Sequence, residues 1–251
     1  MHGSPGCQWD LMVTLDDATS ELYSAFVVVA EGPMSSFRGL RDVIEANGLC
    51  SSLSTDRGSH YWYTEETGGT VDNTRLTQVH RALRQVGITR IPAYSPEARG
   101  RSERVFRTLQ DRWPKELAEI TTRAAANRYL AEPFLPAYNR RVAVSAAEPG
   151  TAFVPWIGTH RTEMRCLQEE RVVANDNTVR YQGRHLLIPP DRHRFHDGKV
   201  TIRVHEYPDG TLAVVHGPRC LARYQPDGRV SESEGAPPSR PDPEIGRPTD
   251  R

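Results

Sequence analysis

At 251 residues the chain is long enough to bury a full core and to form one or two domains. Its 32 basic residues balance 32 acidic ones, so overall charge gives no pointer to nucleic acid, and no apolar run has the length of a membrane helix. Cys7, Cys50, Cys166 and Cys220 are scattered without the close pairs of a zinc site, which reads as reduced thiols in a cytoplasmic protein that makes no use of membranes. Lys115 and Lys199 are the only lysines; the arginine bias suits bidentate phosphate contact, and genome composition explains it equally well.

Residues 1–8 carry no clear pattern. Trp9–Leu15 reads as a strand, Asp16–Ser20 as a turn and Glu21–Val29 as the return strand of a hairpin. Ser35–Asn47 reads as a helix, with Phe37, Leu40, Val43 and Ile44 on one face and Gly48 as its stop. Leu49–Leu53 is short and mostly apolar or small, as a buried strand would be, and it runs into Ser54-Thr55-Asp56-Arg57-Gly58-Ser59-His60. An acid before a glycine turn at a strand end is either a turn former or a carboxylate at a sheet edge, where sites form in open α/β folds. Tyr61-Trp62-Tyr63 is aromatic; a packed cluster is the simpler reading, stacking on unpaired bases the other. Residues 65–74 read as a polar loop around Gly68-Gly69. Leu76–Val86 reads as a helix closed by Gly87, and Ile88–Ile91 as a strand.

The stretch from Ile91 to Leu109 organises the chain. Ser95-Pro96 signals a turn, because the residue before proline is pushed out of the helical region. Ser102–Glu119 reads as a helix with Val105, Phe106, Leu109, Trp113 and Leu117 as its apolar stripe. Glu103 falls in the first turn, among Arg99, Arg101, Arg104 and Arg107. It is either a helix-start charge paired with arginines, the simpler reading when taken alone, or a metal ligand beside a basic groove.

Further on, Ala124–Leu130 reads as helix, and the two prolines between Glu132 and Ala137 predict a break. Pro149 and Pro155 mark a linker. Strand-like runs follow at Arg171–Val173, Thr178–Tyr181, His185–Ile188, Lys199–Val204 and Thr211–Val215, with hairpin signals at Gln182-Gly183, Asp197-Gly198 and Asp209-Gly210. This spacing predicts a small antiparallel β-barrel over 156–225, after a core over 1–150. His185, His193, His196, His205 and His216 fit no compact metal site. The tail over 226–251 is rich in proline and poor in large apolar residues, and is expected to be disordered.

Two of these stretches together resemble the catalytic core of the retroviral integrase superfamily, and within it the DDE-type transposases of bacterial insertion sequences. Thr55-Asp56-Arg57-Gly58-Ser59 is similar to the strand-end motif around the family's second acid. Tyr94, Pro96, Gly100 and Glu103 are similar to the motif around its third, and Tyr138-Asn139-Arg140-Arg141 resembles a segment that follows the core. The resemblance, over about residues 7–225, implies an α/β, RNase H-like integrase core followed by a small antiparallel β-barrel that helps to hold DNA. It implies metal-dependent DNA strand transfer in transposition and integration, with Asp56 and Glu103 as catalytic residues. Those two would hold a two-ion Mg²⁺ site, with Mn²⁺ as a substitute. The implied partners are transposon ends, target DNA and further copies of the chain. From position alone, Arg107, one turn beyond Glu103, reads as a phosphate contact, with Arg57, His60, Arg99 and Arg101 as weaker DNA-binding candidates; for each arginine a surface salt bridge is the simpler reading.

The family's first acid sits on a strand that precedes the hairpin and has no counterpart in residues 1–8, so an N-terminally truncated and catalytically impaired chain is expected. Asp10, Asp16 and Asp17 are the candidates to replace that acid, and a turn role is the simpler reading for Asp16 and Asp17. The rival reading is a non-catalytic DNA-binding fragment that joins or inhibits full-length transposase assemblies. A third is a degenerate protein with no present role.

Overall fold

The computed structural model describes residues 9–56, 58–64, 71–72, 76–93, 100, 103, 105–108, 120–157, 165–190 and 198–231. They form a mixed α/β structure that divides into two compact units, Met1–Gln168 with His205–Pro208, and Glu169–Val204 with Asp209–Arg251. No described helix is long and apolar enough to cross a membrane.

The first unit begins with the predicted hairpin. Strands β1 (Asp10–Leu15) and β2 (Leu22–Val28) pair antiparallel, with a register shift between Thr14 and Leu15. The turn forms because Asp16 folds its carboxylate back onto it, accepting from the Ala18 and Thr19 amides and from the Thr19 hydroxyl at 2.7 Å. One face of the hairpin carries Leu11, Val13, Leu15 and Val27; the other presents Thr14 and Phe26.

Helix α1 (Pro33–Asn47) covers the Thr14–Phe26 face. Pro33 suits the first turn, where its missing N–H is no loss, and Ser35 Oγ accepts from the Gly32 amide at 3.0 Å. Gly39 makes the close approach: a Cβ there would lie 3.2 Å from Thr14 Oγ1. The opposite side of α1, with Phe37, Leu40 and Ile44, packs against Val79, Ala82 and Leu83 of helix α2 (Gln78–Gln85) and against Ile88. Thr77 caps α2 by accepting from the His80 amide.

Strand β3 spans Ser52–Thr55, about three residues beyond the predicted Leu49–Leu53. Leu49 is drawn off into a two-way bridge with Val154, with N···O distances of 2.8 and 2.9 Å, so the ladder starts later. A hairpin of two short strands follows, β4 (Tyr63–Thr64) and β5 (Val71–Asp72); the rest of the predicted loop lies outside the described residues. Strand β6 (Thr89–Pro92) runs parallel to β3, with Thr55 opposite Pro92, and α2 lies in the connection as a parallel pair requires.

Positions 100, 103 and 105–108 are helical, and Val105, 3% exposed, packs with Leu11, Leu22 and Val27. The stripe residues Leu109, Trp113 and Leu117 lie outside the described residues.

The break expected near the prolines does not occur. Helix α3 (Arg123–Tyr129) passes through a π-helical turn, Leu130–Phe134, into helix α4 (Leu135–Val142). The wider turn accommodates Pro133, and Pro136 follows directly after it at the start of α4. The rod buries Ala126, Leu130, Phe134 and Tyr138 against the second face of the β1–β2 hairpin. Two of its asparagines take up β2 backbone groups. Asn127 Oδ1 accepts from the Val27 amide at 2.7 Å and its Nδ2 donates to Val27 O; Asn139 does the same for Leu22, at 2.9 Å each way. The part of the Tyr138–Arg141 motif whose contacts are described is therefore structural, with Tyr138 in the core and Asn139 on the hairpin.

In the C-terminal half, strands β7 (Leu167–Val172), β8 (Thr178–Tyr181), β9 (Arg184–Leu187), β10 (Thr201–Glu206) and β11 (Leu212–His216) match the predicted runs with shifted ends. Strand β12 (Arg219–Tyr224) has no sequence counterpart above. The strands do not close into the expected barrel. Among the described residues they form a four-stranded sheet in the order β12-β11-β10-β7 and a separate β8–β9 hairpin. Val179, Tyr181, Leu186 and Ile188 pack with Ile202, Val204, Leu212, Val214 and Tyr224 into one core, so an open arrangement already buries the apolar residues. Of the stretch assigned to the tail, 226–231 turns back through Asp227-Gly228 and bridges Val230 to Tyr224; 232–251 lies outside the described residues.

Candidate functional site

Asp56 follows the last residue of β3, at the end of a two-stranded parallel ladder. Its position is fixed from both sides. Thr55 is 7% exposed, accepts from Trp62 Nε1 at 2.8 Å through its hydroxyl, and accepts from the Ala93 amide at 3.0 Å through its carbonyl. Beyond it, Asp56 Oδ1 accepts from the Gly58 amide at 3.0 Å. A Cβ on Gly58 would sit 3.1 Å from that oxygen and 3.2 Å from His60 Cε1, so the turn is tight enough to favour glycine. Asp56 is thus a turn former and, being exposed, also a carboxylate presented at a strand end.

Acidic groups gather here. Asp10 Oδ2 accepts from the Glu31 amide at 3.0 Å, and the Glu31 carboxyl is pushed up by burial, then by the charges of Asp56 and Asp10. Of the three candidates to replace a first acid, Asp16 is committed to the hairpin turn, while Asp10 and Asp56 both act on Glu31. Glu31 was not singled out in the sequence. It stands alone between a strand and a helix, and only folding brings it to Asp56.

The raised Glu31 value fixes the sign of a pH effect. Glu31 favours the fold below the unfolded carboxyl value, and that contribution is lost as pH rises through the raised folded value. Because Glu31 is exposed, solvent screens much of this effect, and Glu31→Gln is expected to flatten the fall in stability across that window only slightly. An unchanged pH profile would show that the crowding is relieved in solution.

His60 is half-buried, with its ring tilted over Tyr61 at 4.2 Å between centroids; burial pulls its imidazole down and the Asp56 carboxylate opposes this. The aromatic run splits into roles. Trp62 is 1% exposed, with the Arg90 guanidinium 3.4 Å over its ring. Arg90 also donates to Tyr61 O, lies 3.0 Å from His80 Nδ1, and is pulled down to about 10 by burial. Tyr61 is hydrogen-bonded to Ser36, and Tyr63 is at the surface.

The structure therefore groups Asp56 and His60 with Asp10 and Glu31. Glu103 and Arg107 are exposed and one helical turn apart, while Arg57, Arg99 and Arg101 lie outside the described residues. Among the described residues no group of three or more His, Cys, Asp or Glu side chains is placed to hold a metal ion. The donors near Asp56 are carboxylate oxygens, the type magnesium accepts while keeping several waters.

By sequence the chain is similar to two proteins named as transposases. It is 29% identical over 212 residues to the protein named "Putative transposase y4bF" of Sinorhizobium fredii, an alignment covering 81% of this chain and 45% of that protein. It is 26% identical over 188 residues to the transposase for insertion sequence IS1202 of Streptococcus pneumoniae, covering 73% of this chain and 39% of that protein. The chain thus spans less than half the length of either relative. No family profile matches it.

Proposed function

We propose that the chain carries the catalytic region of a DDE-type transposase, with an RNase H-like core that performs DNA strand transfer. The similarity to two proteins named as transposases carries this reading. The acidic strand end at Asp56 supports it, because cutting and rejoining a phosphodiester places charge on the attacking and leaving oxygens. A divalent metal supplies the stabilisation of those oxygens when bound. Asp56 and Glu103 are the residues that would hold it, with Asp10 as the candidate third carboxylate. Arg107, exposed and one turn beyond Glu103, is the candidate to meet a phosphate, and phosphate contacts of this kind position DNA without reading its sequence. DNA ends, target DNA and further copies of the chain are the proposed partners, with the cytoplasm as the site of action.

The second reading is a DNA-binding fragment without chemistry of its own, which the same similarity supports, since it covers less than half of either relative. Magnesium-dependent strand transfer on the element's own ends, comparing the chain with Glu103→Gln, separates the two. The first reading expects product from the chain and loss of at least about two orders of magnitude in the variant, as for removal of a group that stabilises charge in the transition state. Equal product from both would end the catalytic assignment, and DNA retention with no product from either would establish the second reading.

A further inference from the structure

Helix α2 and strand β6 bring three basic side chains together. His80 and Arg84 are one turn apart on α2, and Arg90 lies on β6. Arg90 Nη2 donates to His80 Nδ1 at 3.0 Å, while its guanidinium rests 3.4 Å over the Trp62 ring and donates to Tyr61 O. Burial pulls the His80 imidazole down, and the charges of Arg90 and then Arg84 pull it further, so both arginines act on the same ring. Among the described residues neither arginine forms an ion pair with Asp or Glu. The neighbouring Arg81 is directed elsewhere, to Gln78, Gln85 and the Cys166 carbonyl.

This arrangement costs the fold free energy. A half-buried guanidinium without a counter-charge has given up hydration, and the Trp62 face offsets only part of that. A bound anion would offset more, and the available donors indicate which kind. Arg84 is exposed, and Arg90 and His80 are each partly so. Because His80 Nδ1 accepts from Arg90, the neutral ring carries its proton on Nε2 and can donate it. Two guanidinium forks and an imidazole N–H match the several oxygens of a phosphate. Arg90 stands opposite Leu53 on β3, three residues short of Asp56. That is about 10 Å along a strand, or roughly three nucleotide steps of one DNA strand.

We propose that Arg84, Arg90 and His80 form a site for a backbone phosphate of DNA. The inference rests on the DNA-handling reading above and adds to it where the backbone is held relative to the acidic strand end.

The test uses the full chain, two fluorescently labelled duplexes of unrelated sequence, and inorganic phosphate. Affinity is measured against salt concentration for the chain, for Arg84→Gln and for Arg41→Gln. Arg41 is equally a surface arginine but is paired with Asp42, so its variant controls for the loss of one charge. Arg84→Gln is expected to weaken binding of both duplexes about tenfold near 0.1 M salt and to lower the salt slope by about 0.9, the value of one phosphate contact. Arg41→Gln is expected to change neither. Thermal unfolding of each variant distinguishes a lost contact from a lost fold. Equal slopes for the chain and Arg84→Gln, or equal losses in both variants, would overturn the site while leaving DNA binding intact. A rise in unfolding temperature with inorganic phosphate that needs Arg84, without any change in slope, would overturn DNA as the source of the phosphate. Absence of binding to either duplex by the unsubstituted chain would overturn both readings.

Discussion

Replacing Trp62 with alanine is expected to cost about 3–5 kcal/mol of unfolding free energy, the range for removing a large buried aromatic. The ring is 1% exposed, so almost its whole surface would become cavity. Two further losses add to this. The Thr55 hydroxyl would lose the indole N–H at 2.8 Å, immediately before Asp56, and the Arg90 guanidinium would lose the face it lies on at 3.4 Å. A urea titration of the chain and the variant measures the difference. Trp62→Phe is expected to cost less, because it keeps most of the apolar volume; it gives up the hydrogen bond, worth about 1 kcal/mol, and the part of the ring a phenyl does not fill. A loss below about 1 kcal/mol for the alanine variant would show that the segment is not packed as described.

Gly48→Ala is the second large effect. Gly48 has φ of 98°, in the region that side chains strain, and a Cβ there would stand 2.5 Å from the Val154 carbonyl oxygen. The backbone strain alone is of order 1–3 kcal/mol. The clash is with backbone, not with a flexible side chain, so the Leu49–Val154 bridge must open to relieve it. Gly87→Ala is the control: φ there is 74°, but its Cβ would meet nothing within 4 Å. The variant at 48 should therefore lose more stability than the one at 87, and faster hydrogen exchange at the Leu49 and Val154 amides should accompany it. Equal losses at the two positions would mean that the bridge contributes nothing.

Much of the architecture was legible in local pattern, and the exceptions have physical reasons. The hairpin, α1, α2 and β6 were readable because one face of each is apolar at the period of its own geometry, as in Phe37, Leu40 and Ile44. The start of β3 was misplaced because Leu49 looks like any strand residue, and nothing local signals a partner more than a hundred positions away at Val154. The prolines near Pro133 were read as a break because a π-turn has no clear sequence signature. Strand β12 was missed because Arg219-Cys-Leu-Ala-Arg-Tyr alternates only weakly, while Ala222 and Tyr224 are nonetheless buried.

Site residues divide in the same way. Asp56 was visible because a glycine turn after a strand is a local motif, and His60 came with it. Asp10 was a candidate by its place at the start of the hairpin, whereas Glu31 was not visible as a neighbour of Asp56, since only the β2–α1 connection brings it there. The aromatic run was read as a packed cluster, and Trp62 and Tyr61 are packed while Tyr63 is not.

The asparagine pair on β2 has a consequence for colloidal behaviour. A strand with unsatisfied amides and carbonyls is a template on which another chain can continue the ladder. At Leu22 and Val27 those positions are occupied by side-chain amides that mimic a neighbouring strand and then stop, because an amide cannot propagate to a further strand. Asn127 and Asn139 thus act as terminators of sheet growth, and losing either would expose a sticky margin at high protein concentration before it visibly altered the fold.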